Sequence, residues 1–315
     1  MIEEISTFEG LCAIRREWAD LWNRVQSTPF QSPEWLLPWW RHLFGGGEMW
    51  TIAVRKQGRL TGLAPMFIFG RRQVAFIGSG VSDYLGFLAE NRETMEEIWQ
   101  TIRGSCRWDI CDFQEIPEGS AMLQPAKGIS AERSRSSVCP VVSLPETMAE
   151  LEARLSPKFR HNVRNARNRL AKLGATFEVG SDMEALFRLH GDRWGSKGEA
   201  GVLNSPCMQN FLREACVGMR RLYCIRLDGS VRGILCTFCA HQRAAYYIGG
   251  FDPELSRFSP GSALIHFAME NAIREHCTEF DFLRQGERYK YDWGATDRIN
   301  TRLLLRNSES FAQNR

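Results

Sequence analysis

The feature that most constrains the fold of this chain is an internal repeat that aligns without a gap. Residues 51–78 (TIAVRKQGRLTGLAPMFIFGRRQVAFIG) align with residues 222–249 (LYCIRLDGSVRGILCTFCAHQRAAYYIG). Coinciding positions include Arg55 with Arg226, Gly58 with Gly229, Gly62 with Gly233, and Ile77-Gly78 with Ile248-Gly249. Each copy contains three β-prone runs separated by a glycine turn and a short basic turn. The repeat therefore predicts a three-stranded antiparallel meander in each half of the chain.

The flanks of the two copies also agree, which favours duplication over chance similarity. Before each meander, a tryptophan-bearing amphipathic segment leads to a Ser-Pro helix start, at Ser32-Pro33 and at Ser205-Pro206. After each meander we predict a helix, a short strand and a closing apolar strand, the latter at 138–144 and 302–306. The sequence thus predicts an α/β protein (an α+β mixed sheet) with two tandem domains, 1–145 and 146–315. The segment 114–135, rich in Gly, Pro, Ser and charge, is predicted to be a surface loop.

Composition limits the function classes. The formal net charge is only +3 among 315 residues, so bulk charge gives no argument for nucleic acid or a membrane. The first residues form no secretory signal, and no run approaches the roughly 20 apolar residues that span a bilayer. The ten cysteines lie in apolar contexts, and Cys236-x-x-Cys239 falls in a strand without a second pair. We therefore expect a cytoplasmic, metal-free protein with reduced cysteines.

A Ser-Pro-Gly-Ser motif follows the second meander and precedes a helical pattern. Ser259 fits the N-cap and Pro260 the first helical position, while Gly261 and Ser262 leave the next amides unshielded. A helix start with open amides binds phosphate well, although a simply well-capped helix is an equal alternative. The first copy has Ser79-Gly80-Val81-Ser82-Asp83-Tyr84 at this place, with an acid where a phosphate would lie. Only the second copy is therefore expected to bind an anionic cofactor.

These residues resemble a known family. The order β-β-β-α-β with a phosphate-binding helix start is similar to the GNAT acyltransferase fold. GGFDPELSRFSPGSALIHFAMENA (249–272) followed by FDFLRQGERYKYDWG (280–294) resembles the CelD-type, FemAB-like acetyltransferases. These are tandem GNAT proteins often found with bacterial polysaccharide biosynthesis. The resemblance implies acetyl-CoA or another acyl-CoA as co-substrate, with its thioester between splayed strands. Its pyrophosphate would lie on the amides of Gly261 to Ala263, and the acceptor would be a saccharide or its precursor.

A basic helix is predicted at 156–174, with Ser156-Pro157 starting it and Gly174 ending it. It has an apolar stripe at helical spacing and no acid between its first and last lysine. Its cations are Lys158, Arg160, Arg164, Arg167, Arg169 and Lys172. An anionic partner would offset their repulsion, namely a sugar-nucleotide or lipid-linked phosphate, the cofactor's 3′-phosphate or nucleic acid; a solvated face is the alternative. By resemblance to Fem-type ligases, Lys158, Arg160 and Arg164 are expected to meet substrate phosphates.

Acyl transfer needs a base for the acceptor and a group that offsets charge on the carbonyl oxygen. The candidates for these roles are Asp252, Glu287, Tyr289 and Lys290, near the ends of the predicted strands. Candidate substrate-binding residues are His190, Trp194, Asp281, Arg284, Asp83 and Tyr84. For Asp83 and Tyr84 a surface loop is equally plausible, and Asp281 alternates with Phe280 and Phe282, so it is expected to point to the opposite face of its strand. By the Fem-like resemblance Lys290 supplies a cation to the reacting acyl group; a surface ion pair with Glu287 is the alternative.

Three hypotheses on function follow. The first is an acyl-CoA-dependent N- or O-acyltransferase acting on a saccharide or cell-envelope precursor that can carry phosphate. The second is a Fem-type transferase that uses aminoacyl-tRNA, which the basic helix would suit. The third is a non-enzymatic module that binds anions or nucleic acid. The modest net charge weakens the nucleic-acid hypotheses, and the Ser-Pro-Gly-Ser motif favours the first.

Overall fold

The computed structural model of the chain describes residues 1–125, 130–196, 198–199 and 201–307. It divides into two compact units, unit 1 with residues 1–138 and the chain from Arg298 onward, and unit 2 with residues 139–297. Both units combine helices with a mixed parallel and antiparallel sheet, so the predicted α/β fold class is confirmed. None of the helices in the described ranges is long and apolar enough to cross a membrane.

Unit 1 has strands β1 to β7 and helices α1 to α4. The strands are β1 Ile2–Ile5, β2 Glu48–Lys56, β3 Arg59–Phe69, β4 Gln73–Phe76, β5 Leu88–Ala89, β6 Ile110–Pro117 and β7 Ala131–Ser143. The helices are α1 Phe8–Ala13, α2 Arg15–Arg24, α3 Pro33–Leu43 and α4 Arg92–Gly104. The strand order begins β1-β2-β3-β4-β6, with β5 pairing β3 beside this path.

Unit 2 repeats this plan with helices α5 to α10 and strands β8 to β12, whereas β13 belongs to unit 1 from Arg298 onward. The helices are α5 Met148–Arg154, α6 Pro157–Lys172, α7 Met183–Gly195, α8 Pro206–Glu214, α9 Pro260–Arg274 and α10 Arg288–Asp292. The strands are β8 Thr176–Gly180, β9 Arg220–Leu227, β10 Ser230–Ala240, β11 Arg243–Phe251 and β12 Glu279–Asp281, and β13 spans Thr296–Arg306. Their order is β12-β11-β10-β9-β8, and residues of α6, α9 and these strands share one hydrophobic core.

The two predicted meanders are confirmed, down to their irregularities. Both β2–β3 and β9–β10 contain one bulge, in which Thr61 and Arg232 are the respective extra residues. The repeated arginines also act alike, since Arg55 and Arg226 each donate to the carbonyl of the turn glycine that follows. Equivalent sequence therefore produces the same pairing, bulge included, between the first two strands of each meander.

The closing strands are exchanged relative to the sequence-based assignment. Residues 138–144 were expected to close the first half, but Val141–Ser143 pair antiparallel with β12 in unit 2. Residues 302–306 were expected to close the second half, but they pair antiparallel with β6 in unit 1. The apolar pattern correctly predicted two strands. It did not encode the partner, because strand pairing is decided by distant hydrogen-bonding edges and burial.

The segment 114–135 is less irregular than expected. Residues 114–117 complete β6, residues 121–123 form a 3₁₀ turn, and β7 begins at Ala131. Residues 126–129 of this predicted loop lie outside the described residues. Polar residues here do not mark a loop, because those at 114, 115, 136 and 137 hydrogen-bond within the sheet of unit 1 or on its surface.

A buried polar cluster holds the C-terminal strand in unit 1. The Glu115 side chain, in a residue only 8% exposed, accepts hydrogen bonds from Ser136, Ser137 and the Asn300 amide. Asn300 Nδ2 lies 2.9 Å from Glu115 Oε2 and 2.8 Å from the carbonyl oxygen of Asp83. A buried carboxylate depends on such donors, so β13 is held by hydrogen bonds to the Glu115 side chain as well as by its ladder.

We predict that Asn300→Leu lowers the free energy of unfolding by roughly 2–3 kcal/mol, because Glu115 loses a buried donor to its charge. Urea denaturation of the single variants and of Asn300→Leu combined with Glu115→Gln measures this. The double variant should cost less than the sum of its two parts, since the two side chains are coupled. Strict additivity would show that the Asn300–Glu115 contact does not hold the strand.

Candidate active site

The candidate site lies in unit 2, where two neighbouring parallel strands part. Strands β11 and β12 pair at only three positions, Arg243 with Glu279, Ala244 with Phe280 and Ala245 with Asp281. Strand β11 then continues to Phe251 while still paired with β10 on its other edge. A gap therefore opens beside residues 246–251, at the carboxyl ends of two parallel strands, where open α/β sheets bind ligands.

A bulge in β11 lies where the gap opens. Cys236 pairs with Ile248 and Thr237 pairs with Tyr246, so Tyr247 is an extra residue of β11. A bulge bends its strand and increases the local twist, which re-aims the backbone groups that follow. The strands thus part next to a local irregularity, the bulge at Tyr247, two residues beyond their last pair of Ala245 with Asp281. The sequence alignment could not find this bulge, because it keeps the two meanders in register without a gap.

Helix α9 begins at the far end of β11. Ser259, its N-cap, has φ 54° and ψ 54°, and its side chain does not cap the helix. Pro260 occupies the first turn, and a Cβ on Gly261 would lie 3.8 Å from the nearest side-chain atom, on Phe251. The predicted helix start is therefore confirmed, with its first turn uncapped by Ser259. Ala263, which follows Gly261 and Ser262, is fully buried and anchors the helix in the core.

Asp252 shapes this helix start. Its side chain accepts from the Glu254 amide at 2.9 Å and caps the 3₁₀ turn Pro253–Phe258. The same carboxylate lies 2.7 Å from Arg232 Nε. Asp252 is thus engaged in an ion pair and a cap, and acting as a base would require it to leave both.

Two arginines that the sequence-based site prediction left out lie at the helix start. The guanidinium carbons of Arg169, on α6, and Arg257 are 4.9 and 4.8 Å from the centroid of the Phe258 ring. Phe258 directly precedes Ser259, so both cations lie next to the α9 start. Within the described residues, neither arginine has a carboxylate partner. Only the packing of α6 on this turn could reveal the Arg169 contact, since some ninety residues separate it from Phe258.

The loop after β12 surrounds the ammonium group of Lys290 with four hydrogen-bond acceptors. Lys290 is 3% exposed, and its Nζ lies 3.3, 2.7 and 2.8 Å from the carbonyl oxygens of Leu283, Arg284 and Gln285. Nζ is also 2.8 Å from Glu287 Oε2. Four acceptors surround an ammonium that has three donors. The expected ion pair with Glu287 is present, but it is part of a buried cage rather than a surface pair.

Aromatic side chains cover the mouth of the gap. The rings of Tyr246 and Phe282 are 6.3 Å apart, and those of Phe282 and Tyr289 are 6.0 Å apart. Burial, followed by the neighbouring Tyr246 and Glu287, raises the pKa of the Tyr289 hydroxyl, and Arg193 opposes this. Burial likewise raises the pKa of Tyr246. Both hydroxyls therefore stay protonated at neutral pH and are available as hydrogen-bond donors.

Asp281 and Arg284 belong to the same loop. Asp281 is 3% exposed, and its Oδ1 accepts from the Leu283 amide at 2.8 Å. It was expected to face away from Phe280 and Phe282, and all three residues are buried. Asp281 thus turns the chain out of β12, and Arg284, which is half-buried, follows that turn.

Helix α7 supplies His190 and Trp194, whose rings are 6.0 Å apart. The helix packs tightly on β11, since a Cβ on Gly250 would come within 2.4 Å of the His190 amide nitrogen. Burial, with a smaller effect of Arg193, lowers the pKa of His190 to about 4. His190 is therefore neutral at physiological pH, and its buried Nδ1 has no hydrogen-bond partner among the described residues.

The basic helix is confirmed as α6, with Ser156 capping Phe159 and Gly174 at φ 85° ending it. Its cations differ in surroundings. Lys158 and Arg164 are exposed, whereas the half-buried Arg160 donates to the Glu152 carbonyl at 3.2 Å. The predicted bounds of the helix are therefore confirmed. The sequence did not indicate the hydrogen bond from Arg160 to the Glu152 carbonyl.

Asp83 and Tyr84 lie in unit 1, where they are 6% and 3% exposed, so the surface-loop alternative is wrong. Strands β4 and β6 also pair at only two positions before they part. There the loop itself occupies the space: the Leu85 amide donates to the Glu115 carbonyl at 2.8 Å, and Trp35 donates to Ser82. The space in unit 1 that corresponds to the gap beside β11 is thus filled by the residues of this loop.

The structure brings the candidates together in two groups. Residues 281–290 gather at the mouth of the gap, and Asp252 with residues 259–263 forms the helix start at the other end of β11. His190 and Trp194 reach β11 from α7. The candidates of unit 1, Asp83 and Tyr84, belong to the core of that unit.

Comparisons with known proteins agree with this geometry. Residues 157–291 match a family model described as an acetyltransferase (GNAT) domain. No curated protein matches the chain.

Solved structures show the same fold at low identity. FemX has 13% identity, a TM-score of 0.75 and coverage of 99% of both chains. The C-terminal domain of a putative lysylphosphatidylglycerol synthetase from Agrobacterium fabrum has 13% identity and a TM-score of 0.62, covering 96% of this chain and 94% of that one. L-PGS from Bacillus licheniformis has 12% identity and a TM-score of 0.57, covering 89% of this chain and 92% of that one.

The matched segment contains α6, the parted strands, the start of α9 and the caged lysine. It thus coincides with the part of the chain in which the candidate groups were found. Residues 157–291 are thus similar to a GNAT acetyltransferase domain, and the protein is an enzyme, a GNAT-superfamily transferase.

Proposed function

We propose that the protein is an acyl-CoA-dependent N- or O-acyltransferase of the CelD-like, FemAB-like type. The observation that carries this proposal is the gap beside residues 246–251, bounded by the Tyr247 bulge and ending at the open first turn of α9. A thioester beside β11 would place the cofactor's pyrophosphate at the amides of Gly261 and Ser262, where the helix dipole stabilises negative charge.

The cofactor's charge has further partners at this place. Arg169 and Arg257 lie beside Phe258 without carboxylate partners among the described residues. Guanidinium groups bind phosphate through two parallel hydrogen bonds, which makes them suitable for a pyrophosphate or a 3′-phosphate. Unit 1 offers no such space, because residues 82–87 cover the corresponding gap. We therefore propose one cofactor site per chain, in unit 2.

The acceptor would approach the mouth of the gap. Glu287, whose side chain is 45% exposed, is the proposed base, and the protonated Tyr289 hydroxyl is the proposed donor to the leaving thiolate. His190, Trp194, Asp281 and Arg284 would line or shape the acceptor's path. The exposed Lys158 and Arg164, with Arg160, suit a phosphate-bearing acceptor, for which we propose a saccharide or cell-envelope precursor in the cytoplasm.

A second candidate is transfer of an aminoacyl group from tRNA. The unpaired cations of α6 favour it, and so does the similarity to a protein named lysylphosphatidylglycerol synthetase, whose name describes an aminoacylated phospholipid. The open start of α9 favours acyl-CoA instead, because a pyrophosphate needs a compact set of amide donors.

Thermal unfolding with acetyl-CoA, longer acyl-CoAs and aminoacyl-tRNA separates the two functions. A ligand at one hundred times its Kd stabilises the native state by about 2.7 kcal/mol, so the true co-substrate raises Tm by several degrees. We expect acetyl-CoA or a longer acyl-CoA to do so. A rise with aminoacyl-tRNA alone would establish the second function in place of the first.

Gly261→Asp is predicted to abolish acyl-CoA binding, because a carboxylate at the α9 start repels the pyrophosphate. The fold should persist, since the nearest atom to a Cβ there is at 3.8 Å and the residue is helical. Titration calorimetry with acetyl-CoA measures the loss, and Gly261→Ala is the matched control that should bind nearly normally. Unchanged affinity in a folded Gly261→Asp protein would place the cofactor elsewhere.

Arg160 and Arg169 should affect different substrates. Arg160→Ala is expected to raise the acceptor KM with acyl-CoA affinity kept, whereas Arg169→Ala should weaken acyl-CoA affinity. Loss of the Arg160 hydrogen bond to Glu152 should cost only about 1 kcal/mol of stability. Steady-state kinetics and calorimetry on both variants measure this division. Normal acceptor KM in Arg160→Ala would mean that this arginine only joins α6 to α5.

A further inference from the structure

We propose that Lys290 is a positioning residue, whose ammonium holds the loop 283–287 in its active shape and does not itself contact the acyl group. The inference rests on the proposed function, since it assigns that loop to the acceptor side of the same site. It differs from the expectation drawn from resemblance, in which Lys290 supplies its charge directly to the reacting carbonyl.

The donors of Lys290 are already used. Its three N–H groups face the carbonyl oxygens of three consecutive residues, Leu283, Arg284 and Gln285, and the carboxylate of Glu287. The residue is only 3% exposed, so a substrate carbonyl would have to displace one of these acceptors in a buried space. A buried charge that loses an acceptor is strongly disfavoured, because water cannot replace the lost contact.

The loop needs such a cation to keep its shape. Leu283 and Gln285 both have left-handed backbone, with φ of 57° and 81°, although neither is glycine. Three carbonyl dipoles that converge on one point repel each other unless a positive charge lies between them. Without the ammonium, both the strain and the repulsion favour another loop conformation.

The position of the loop links this shape to the reaction. It begins one residue after Phe282, which packs against Tyr246 of β11 and against Tyr289. It ends at Glu287, which precedes α10 and carries one of the acceptors of Lys290. Because the loop and Lys290 fix Glu287 and Tyr289 relative to the gap, loss of the ammonium would misplace both while leaving the α9 start intact.

The test compares Lys290→Ala with the wild-type protein in two measurements. Hydrogen exchange of the amides of residues 283–287 reports the order of the loop. The rate of CoA release by hydrolysis of acetyl-CoA, in which water takes the acetyl group, reports the reaction. We expect exchange in the loop to rise at least tenfold and CoA release to fall about a hundredfold, with unchanged acetyl-CoA affinity.

Rescue by n-propylammonium distinguishes positioning from a general loss of stability. This ion replaces the three methylenes and the ammonium that Lys290→Ala removes, so it can occupy the carbonyl cage. Loop protection and CoA release should recover together over the same range of concentration. Lys56→Met, which removes an exposed lysine of unit 1, is the control for loss of one lysine charge and should change neither measurement.

Two results would overturn the proposal. If CoA release falls while loop exchange stays as in the wild type, Lys290 acts directly on the acyl group. If loop exchange rises while CoA release is normal, the loop has no part in the reaction. A wild-type protein that binds and cleaves no acyl-CoA contradicts the proposed function instead, and unchanged loop exchange in Lys290→Ala would still contradict the role of the ammonium.

Discussion

The rest of the site depends on one constraint, the early end of pairing between the parallel strands β11 and β12. Three residue pairs join them, and the Tyr247 bulge then bends β11 while β12 ends at Asp281. Backbone groups along residues 246–251 are left facing a gap instead of a neighbouring strand. In a sheet, such groups must find other partners, and a ligand whose shape follows the gap can supply them.

The two ends of this gap are built from different interactions. At one end, Ser259, Pro260 and Gly261 start α9 with open amides, while Asp252 and Arg232 fix the preceding turn by a cap and an ion pair. At the other end, Asp281 accepts a hydrogen bond from the Leu283 amide, and the Lys290 ammonium donates to three carbonyl oxygens. Positive charge at the helix start suits a phosphate, whereas the aromatic and carboxylate groups at the mouth suit proton transfer to and from an acceptor.

The two repeats have similar strand arrangements, but only in unit 2 does the gap after the third strand stay open. The meanders share the bulge between their first two strands and the arginine that binds the turn glycine. The difference arises after the third strand: residues 82–87 fold back and bond to β6 in unit 1, whereas residues 253–258 form a short turn that leads to α9 in unit 2. A buried network around Glu115 and Asn300 then stabilises the closed arrangement. One copy is therefore closed by its own residues, and the other keeps the gap for which we propose a cofactor.

The sequence by itself determined the repeat, the two meanders, the limits of α6 and the start of α9, because these depend on local periodicity, caps and turn residues. Sequence reasoning missed the exchange of the closing strands, the Tyr247 bulge and the proximity of Arg169 to Phe258. It also allowed a surface loop for Asp83 and Tyr84, although both are buried in unit 1. Each of these features depends on contacts between residues far apart in the chain.

Lys290 shows the same division within a single residue. Its neighbour Glu287 was visible in the sequence and correctly indicated an ion pair as one alternative. The three carbonyl oxygens that surround it became visible only in the folded loop, because backbone groups of any residue type can fill that role. Side-chain identity is written in the sequence, whereas the direction of a carbonyl group is decided by φ and ψ, and these were set here by the tertiary packing of β12, the loop and α10.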